Sequence, residues 1–183
     1  MSIKTRWIDT LFRVATGSRR IRNFFTPVGA LFFSLLIFLL VILALRVDRL
    51  LGLESIFPAP FHIILSLPVF LIAMILVGWS VFNFIRAKGT PVPFNPPPVL
   101  VTTGPYAYVR NPMLTGVFAL LFGFALLLGS VSLLLIFTPL FIFLNVWELK
   151  AIEEPELIKR LGEDYVEYRE RTPMFVPRFQ RRS

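Results

Sequence analysis

Residues 113–147 read Met-Leu-Thr-Gly-Val-Phe-Ala-Leu-Leu-Phe-Gly-Phe-Ala-Leu-Leu-Leu-Gly-Ser-Val-Ser-Leu-Leu-Leu-Ile-Phe-Thr-Pro-Leu-Phe-Ile-Phe-Leu-Asn-Val-Trp. No charge interrupts the stretch. It divides into two apolar runs, Met113 to Leu128 and Val131 to Trp147, separated only by Gly129 and Ser130. A helix needs roughly 20 apolar residues to span a bilayer, with about 17 as the lower end. Each run therefore sits at the short limit for spanning. A two-residue break leaves room only for a tight antiparallel helical hairpin. The expected class is all-α, a polytopic membrane helical bundle.

Two further runs lie upstream. Val28 to Leu45 carries no charge and is long enough to span; so is Phe61 to Ile85, where Pro68 and Gly78 are candidate kink positions. That makes about four transmembrane helices. The composition agrees. Of 183 residues 56% are hydrophobic, 20 are Phe, and 16% are charged, against about 25% in soluble domains. A chain of this length cannot hide so much apolar surface from water. Residues 1–183 are read as one membrane domain.

The chemistry available is narrow. Cysteine is absent and His62 is the single histidine. Disulfides, thiolate nucleophiles, zinc–thiolate sites and multi-histidine metal sites are excluded, and no metal is expected. The net charge of +8 flanks the apolar runs, which is a topology signal rather than a nucleic-acid footprint. No Gly-rich phosphate loop is present.

Residues 1–26 hold Lys4, Arg6, Arg13, Arg19, Arg20 and Arg22 against Asp9. Ile3, Trp7 and Leu11 recur at helical spacing, so a basic amphipathic helix at the lipid interface is expected, not a cleavable signal; a solvated basic arm that only orients the protein is the bland reading. The loop from Arg46 to Pro60 is charge-balanced, the segment from Arg86 to Pro112 holds only cations, and the tail after Trp147 holds eight Lys or Arg. Excess Lys and Arg mark cytoplasmic segments. Four spans with both termini and the site cytoplasmic satisfy every loop, in a bacterial or archaeal cytoplasmic membrane. Residues 89–98 contain five prolines, which predicts an extended polyproline II segment. Pro155 predicts a kink or restart near Glu154. Leu157, Leu161, Tyr165 and Tyr168 predict one face of a further cytoplasmic helix ended by Thr172-Pro173.

Two clusters could carry chemistry. The first is Gly104-Pro-Tyr-Ala-Tyr-Val-Arg-Asn-Pro-Met113, followed by Gly116. Arg110 offers a planar fork of donors, and the helix start after Pro112 offers free backbone N–H groups. The bland reading of Arg110 is a snorkelling anchor among interfacial aromatics. The second cluster is Glu153-Glu154. Lys150 pairing with Glu154 at i+4 is its bland reading. A hairpin with both ends cytoplasmic sets the clusters at one depth. A cation facing two anions suits a zwitterionic ligand, with its carboxylate on Arg110 and its amine on a glutamate. Thr115, Ala119 and Gly123 read as a helix-packing stripe.

The ordered set Gly104-Pro-Tyr-Ala-Tyr-Val-Arg-Asn-Pro-Met-Leu-Thr-Gly116, a hydrophobic hairpin, Glu153-Glu154, then Leu157, Leu161-Gly162, Tyr165 and Tyr168, closely resembles the isoprenylcysteine carboxyl methyltransferase and phospholipid methyltransferase superfamily. The match covers roughly residues 86–179. The resemblance implies a membrane-embedded methyltransferase that uses S-adenosylmethionine and acts on a lipid-like or prenylated substrate through a carboxyl, amine or thiol. It implies that Gly104, Tyr106, Arg110, Asn111, Pro112, Gly116, Glu153 and Glu154 bind the cofactor. Arg110, Glu154 and Tyr165 are the catalytic candidates; a carboxylate acceptor needs no base, whereas a lipid amine needs a proton acceptor, for which Glu153, Glu154 or Tyr165 could serve. Asn111 departs from the family's usual His, and Leu114-Thr115 from its aromatic. Two other readings stay open: a lipid-binding or partner subunit of the same fold that has lost activity, and a reductase using a nicotinamide cofactor.

Overall fold

A computed structural model describes residues 3–90 and 95–177. Among them there is no strand. The helices are α1 (Ile3–Ala15), α2 (Arg19–Leu51), α3 (Phe61–Arg86), α4 (Pro112–Leu127), α5 (Thr138–Glu148), α6 (Glu154–Leu161) and α7 (Glu163–Arg171). Two wide π turns, Leu133–Phe137 and Leu149–Glu153, join into the last long rod, which runs from Leu133 to Leu161. Three helices are long and apolar enough to cross a membrane, and α4 is a shorter apolar helix. The fold is that of a polytopic helical membrane protein.

The hairpin forms as its sequence dictates. Gly129 takes φ +61, a left-handed conformation that suits glycine. The turn is then pinned from a distance. Asp48 is buried near the end of α2, where it accepts hydrogen bonds from the Ser130 hydroxyl and, at 2.8 Å, from the Ser132 backbone N–H. A carboxylate thus satisfies donors at the start of the returning helix. The expected loop from Arg46 begins only after Gly52, because α2 continues for two more turns to place Asp48 there.

α4 packs along α3. The reason is small residues: a Cβ on Gly116 would meet Val77 Cγ2 at 2.7 Å and the Ala73 carbonyl at 3.1 Å, and one on Gly123 would meet the Phe70 ring at 3.1 Å. The expected packing stripe is therefore real at Gly123. α3 runs unbroken through Pro68 and Gly78. The core seam joins α2, α4 and α5 through Ala44, Phe118, Leu121, Leu133 and Phe141. Elsewhere α2 shows Leu31, Phe32, Leu35, Phe38 and Leu39 outward, as a lipid-facing helix should.

Four expectations change. The N-terminal segment is not one helix: α1 ends at Ala15 and Arg19 opens α2. The inward face of α1, with Ile8, Leu11 and Phe12, packs on α6 and the second π turn, and Lys159 closes on Asp9 at 2.8 Å. Its apolar face thus serves the protein itself, where lipid was expected to cover it. The restart expected near Glu154 is where the π turn ends and α6 opens, without a gap in the rod. Glu154 keeps helical angles of −59° and −43°, because the wide turn before it makes room for the ring. Leu157 and Tyr165 do not share a helix, since Gly162, at φ 62 and ψ −139, separates α6 from α7. Finally, Thr90 and Asn95, on either side of the first prolines, lie close together. Thr90 N–H donates to the Asn95 carbonyl at 2.8 Å, whereas five residues of polyproline II would hold them about 15 Å apart. Residues 91–94 lie outside the described residues.

Candidate functional site

Both clusters meet at one end of the bundle, opposite the Gly129 turn. The segment Gly104–Ala107 forms a 3₁₀ turn. Gly104 has φ +63, and a Cβ there would strike the Asn83 side chain at 2.6 Å. Arg110 and Asn111 follow, held by the returning tail: their N–H groups donate to the carbonyls of Pro173 at 2.8 Å and Met174 at 3.1 Å. Phe175 then locks the tail by packing against Phe118. Asn111 is the N-cap of α4, yet its side chain makes no cap bond. It lines the cavity described below.

The Arg110 guanidinium pairs with Glu154 and reaches the Tyr165 hydroxyl at 3.5 Å. Its Nε is buried and has no partner among the described residues. The side chain is 11% exposed, which is not how a snorkelling anchor behaves. Glu154 does not pair with Lys150. The π turn shifts the register between those positions, so the i+4 neighbour relation of an α-helix is lost.

A cavity of about 660 Å³ opens on this group. Tyr106, Arg110, Asn111, Glu153 and Tyr165 line it. Gly104, Pro112, Gly116 and Glu154 are not in its lining. Pro112 is the buried first residue of α4 and Gly116 is a contact with α3. Glu154 acts on the cavity through Arg110. The lining also includes Tyr168, which the sequence placed only on a helix face and in the family-like tail, and Asn145, Glu148, Glu156 and Arg160, which sequence reasoning passed over. Arg160 pairs with Glu156 at 2.9 Å and donates to the Pro97 carbonyl at 3.2 Å. The described end of that loop thereby packs against the site. From these polar groups the cavity runs to an apolar side made by Phe32, Phe33, Val99, Val117 and Phe141.

The floor is aromatic. Phe84 meets Tyr106 edge-on at 5.1 Å, the Tyr168 hydroxyl donates to the Tyr106 carbonyl at 2.7 Å, and Tyr168 lies against Tyr165. Burial raises the pKa of all three tyrosines. For Tyr165 burial comes first, then the Glu154 carboxylate, and the value is pushed up to about 12 from 10.0. Tyr165 is thus a neutral phenol at working pH and no proton acceptor. An ordinary phenol would begin to ionise below about pH 10. The expected result is that Tyr165→Phe leaves a tyrosinate absorbance titration unchanged up to about pH 10. A loss of signal in that range would show that Tyr165 ionises readily.

The family model described as phospholipid methyltransferase matches residues 61–164. The chain belongs to the phospholipid methyltransferase family. A protein-S-isoprenylcysteine O-methyltransferase of Schizosaccharomyces pombe is 35% identical over 106 residues, or 57% of this chain. That match covers 42% of the relative's length. The family segment begins at Phe61, so it takes in α3 as well as the hairpin. Within it α3 supplies Phe84 beneath Tyr106 and the surface on which Gly116 packs.

Proposed function

We propose that the protein is an S-adenosylmethionine-dependent methyltransferase acting on a lipid-like or prenylated substrate at the membrane, with both termini and the site on the cytoplasmic side. The observation that supports it most is a single cavity with charged groups at one end and an apolar side at the other. Its volume falls within the usual range for small-molecule sites, about 300–1,000 Å³. The residues fit the cofactor. The unpartnered Nε of Arg110 is a donor for its carboxylate, and Glu153 is an acceptor for its ammonium. Tyr106 and Tyr165 supply rings and hydroxyls beside them. S-adenosylmethionine would bring a methyl group on a positively charged sulfur, a good leaving group.

The chain's part is positioning. Arg110, fixed by Glu154 and by the returning tail, sets the orientation of the bound molecule, and the half-buried cavity keeps water away. No metal or acid catalyst is required for such a displacement. A nicotinamide dinucleotide fits less well, because the described cations of the lining, Arg110 and Arg160, are already matched by Glu154 and Glu156. The purified protein should bind labelled S-adenosylmethionine in preference to NADPH, and should transfer the label to a lipid or prenyl-thiol extract. Glu153→Gln should weaken donor binding by about tenfold or more, since a charge-assisted bond contributes about 1.5–3 kcal/mol. Absence of donor binding by the wild type would overturn the proposal, and unchanged affinity in Glu153→Gln would remove that residue from the site.

A further inference from the structure

α1 lies outside the family segment, residues 61–164, yet it helps to wall the cavity. Leu11 is part of the lining, and Ile8, Leu11 and Phe12 are half-buried where α1 meets α6 and the second π turn. The hold on this side is slight. One ion pair, Asp9 to Lys159 at 2.8 Å, joins α1 to α6, with side chains 23% and 45% exposed. Lys159 also lies over the Phe12 ring. An exposed pair contributes little, and a helix of 13 residues is marginal on its own. The outer face is cationic. Arg6, Trp7, Thr10 and Arg13 are exposed, and at 100° per residue they fall within an arc of about 120°. Among the described residues no carboxylate pairs with Arg6 or Arg13. The one acid of α1, Asp9, is taken up by Lys159.

We infer that the outer face of α1 binds the anionic headgroups of the membrane the chain spans, and that this contact seats the helix on the cavity. The chain keeps α1 at the bilayer surface. Only residues 16–18 separate it from α2, a reach of about 14 Å at full stretch, and the apolar span begins at Phe24. Arg20, exposed at the start of α2, carries the positive charge on toward that surface. Headgroup phosphates accept hydrogen bonds from guanidinium forks, each cation near an anionic leaflet adds attraction, and an exposed Trp suits headgroup depth. The tether also decides between lipid and a soluble acidic protein, because it holds the face among headgroups at high effective concentration. With its outer side held, the helix keeps Leu11 on the cavity despite the weak inner hold. The inference concerns access to the cavity and stands apart from the methyl-transfer reading.

The chain has no cysteine, so one introduced thiol reports its own position. Thr10→Cys marks the outer face of α1 and Leu11→Cys the inner; Ile8→Cys, one turn earlier, replaces Leu11→Cys if that variant fails to fold. The full chain is placed in nanodiscs of phosphatidylcholine, alone or mixed with phosphatidylglycerol, at physiological salt, and alkylated with uncharged N-ethylmaleimide. Both thiols should react more slowly with phosphatidylglycerol present, by about fivefold or more. Replacing Arg6 and Arg13 together by Gln should abolish the difference, and replacing them by Lys should keep it. Equal rates in the two lipids, or protection that survives the double Gln change, overturn the inference. Protection of Thr10→Cys with Leu11→Cys left reactive overturns it as well, since the helix would then lie on lipid and off the cavity. Equal protection by soluble polyglutamate in pure phosphatidylcholine would assign the face to an acidic protein and overturn the lipid assignment.

Discussion

Arg110→Lys is expected to lower methyl transfer by about 100-fold, equivalent to roughly 2.7 kcal/mol, while the protein still inserts and folds. Arginine does two things here at once. One terminal nitrogen pairs with Glu154, and Nε stays buried and unpartnered at the cavity. A lysine ammonium can follow Glu154, but it is a single point charge and cannot also present the second donor of a planar fork. An anchor at the interface would tolerate the change, because lysine snorkels as well as arginine and keeps the same charge. Donor affinity and transfer rate are measured together. If the variant turns over at the wild-type rate, Arg110 is an anchor and loses its place in the site. If affinity falls and the folded yield does not, the grip on the donor carboxylate is supported.

The contrast between Arg110 and Glu154 shows what the sequence could carry. Apolar runs announce spans because a bilayer accepts little else, so the hairpin and the meeting of the two clusters were legible. The break at Gly129 was legible too, since a chain that turns back within two residues needs a left-handed position. Three features were not. Asp48 looked like a loop residue among Arg46 and Arg49, and only the distant Ser130 and Ser132 explain its burial. Glu148 lies off the α-helical repeat that contains Glu153, so no periodicity argument at 3.6 residues could pair them; the π turn does. The division at Gly162 hid behind an apolar spacing that continues across it by coincidence, with Tyr165 and Tyr168 buried from a different helix. Local pattern sets each element. The long-range partners that bend or widen an element are invisible to it.

Gly116→Leu is expected to cost about 3 kcal/mol or more of stability, while Gly78→Leu costs little. The two glycines face different surroundings. At Gly116 a Cβ would already lie 2.7 Å from Val77 Cγ2, 3.1 Å from the Ala73 carbonyl and 3.1 Å from Leu76 Cβ. Val77 is β-branched and stiff, and a backbone carbonyl cannot turn aside, so α3 and α4 would have to part. At Gly78 nothing lies within 4 Å, and a leucine there would face open space and gain helix propensity. Folded yield and thermal stability in detergent distinguish the two variants. A third variant, Gly116→Ala, decides why the glycine of the motif is there. If it lines the cofactor site, Gly116→Ala folds normally and loses donor binding. If it is the contact that lets α4 lie close on α3, Gly116→Ala loses stability first, and donor affinity follows only as the folded fraction falls. The distances to Val77 and Ala73 favour the second outcome. Normal stability with abolished donor binding would return Gly116 to the cavity wall.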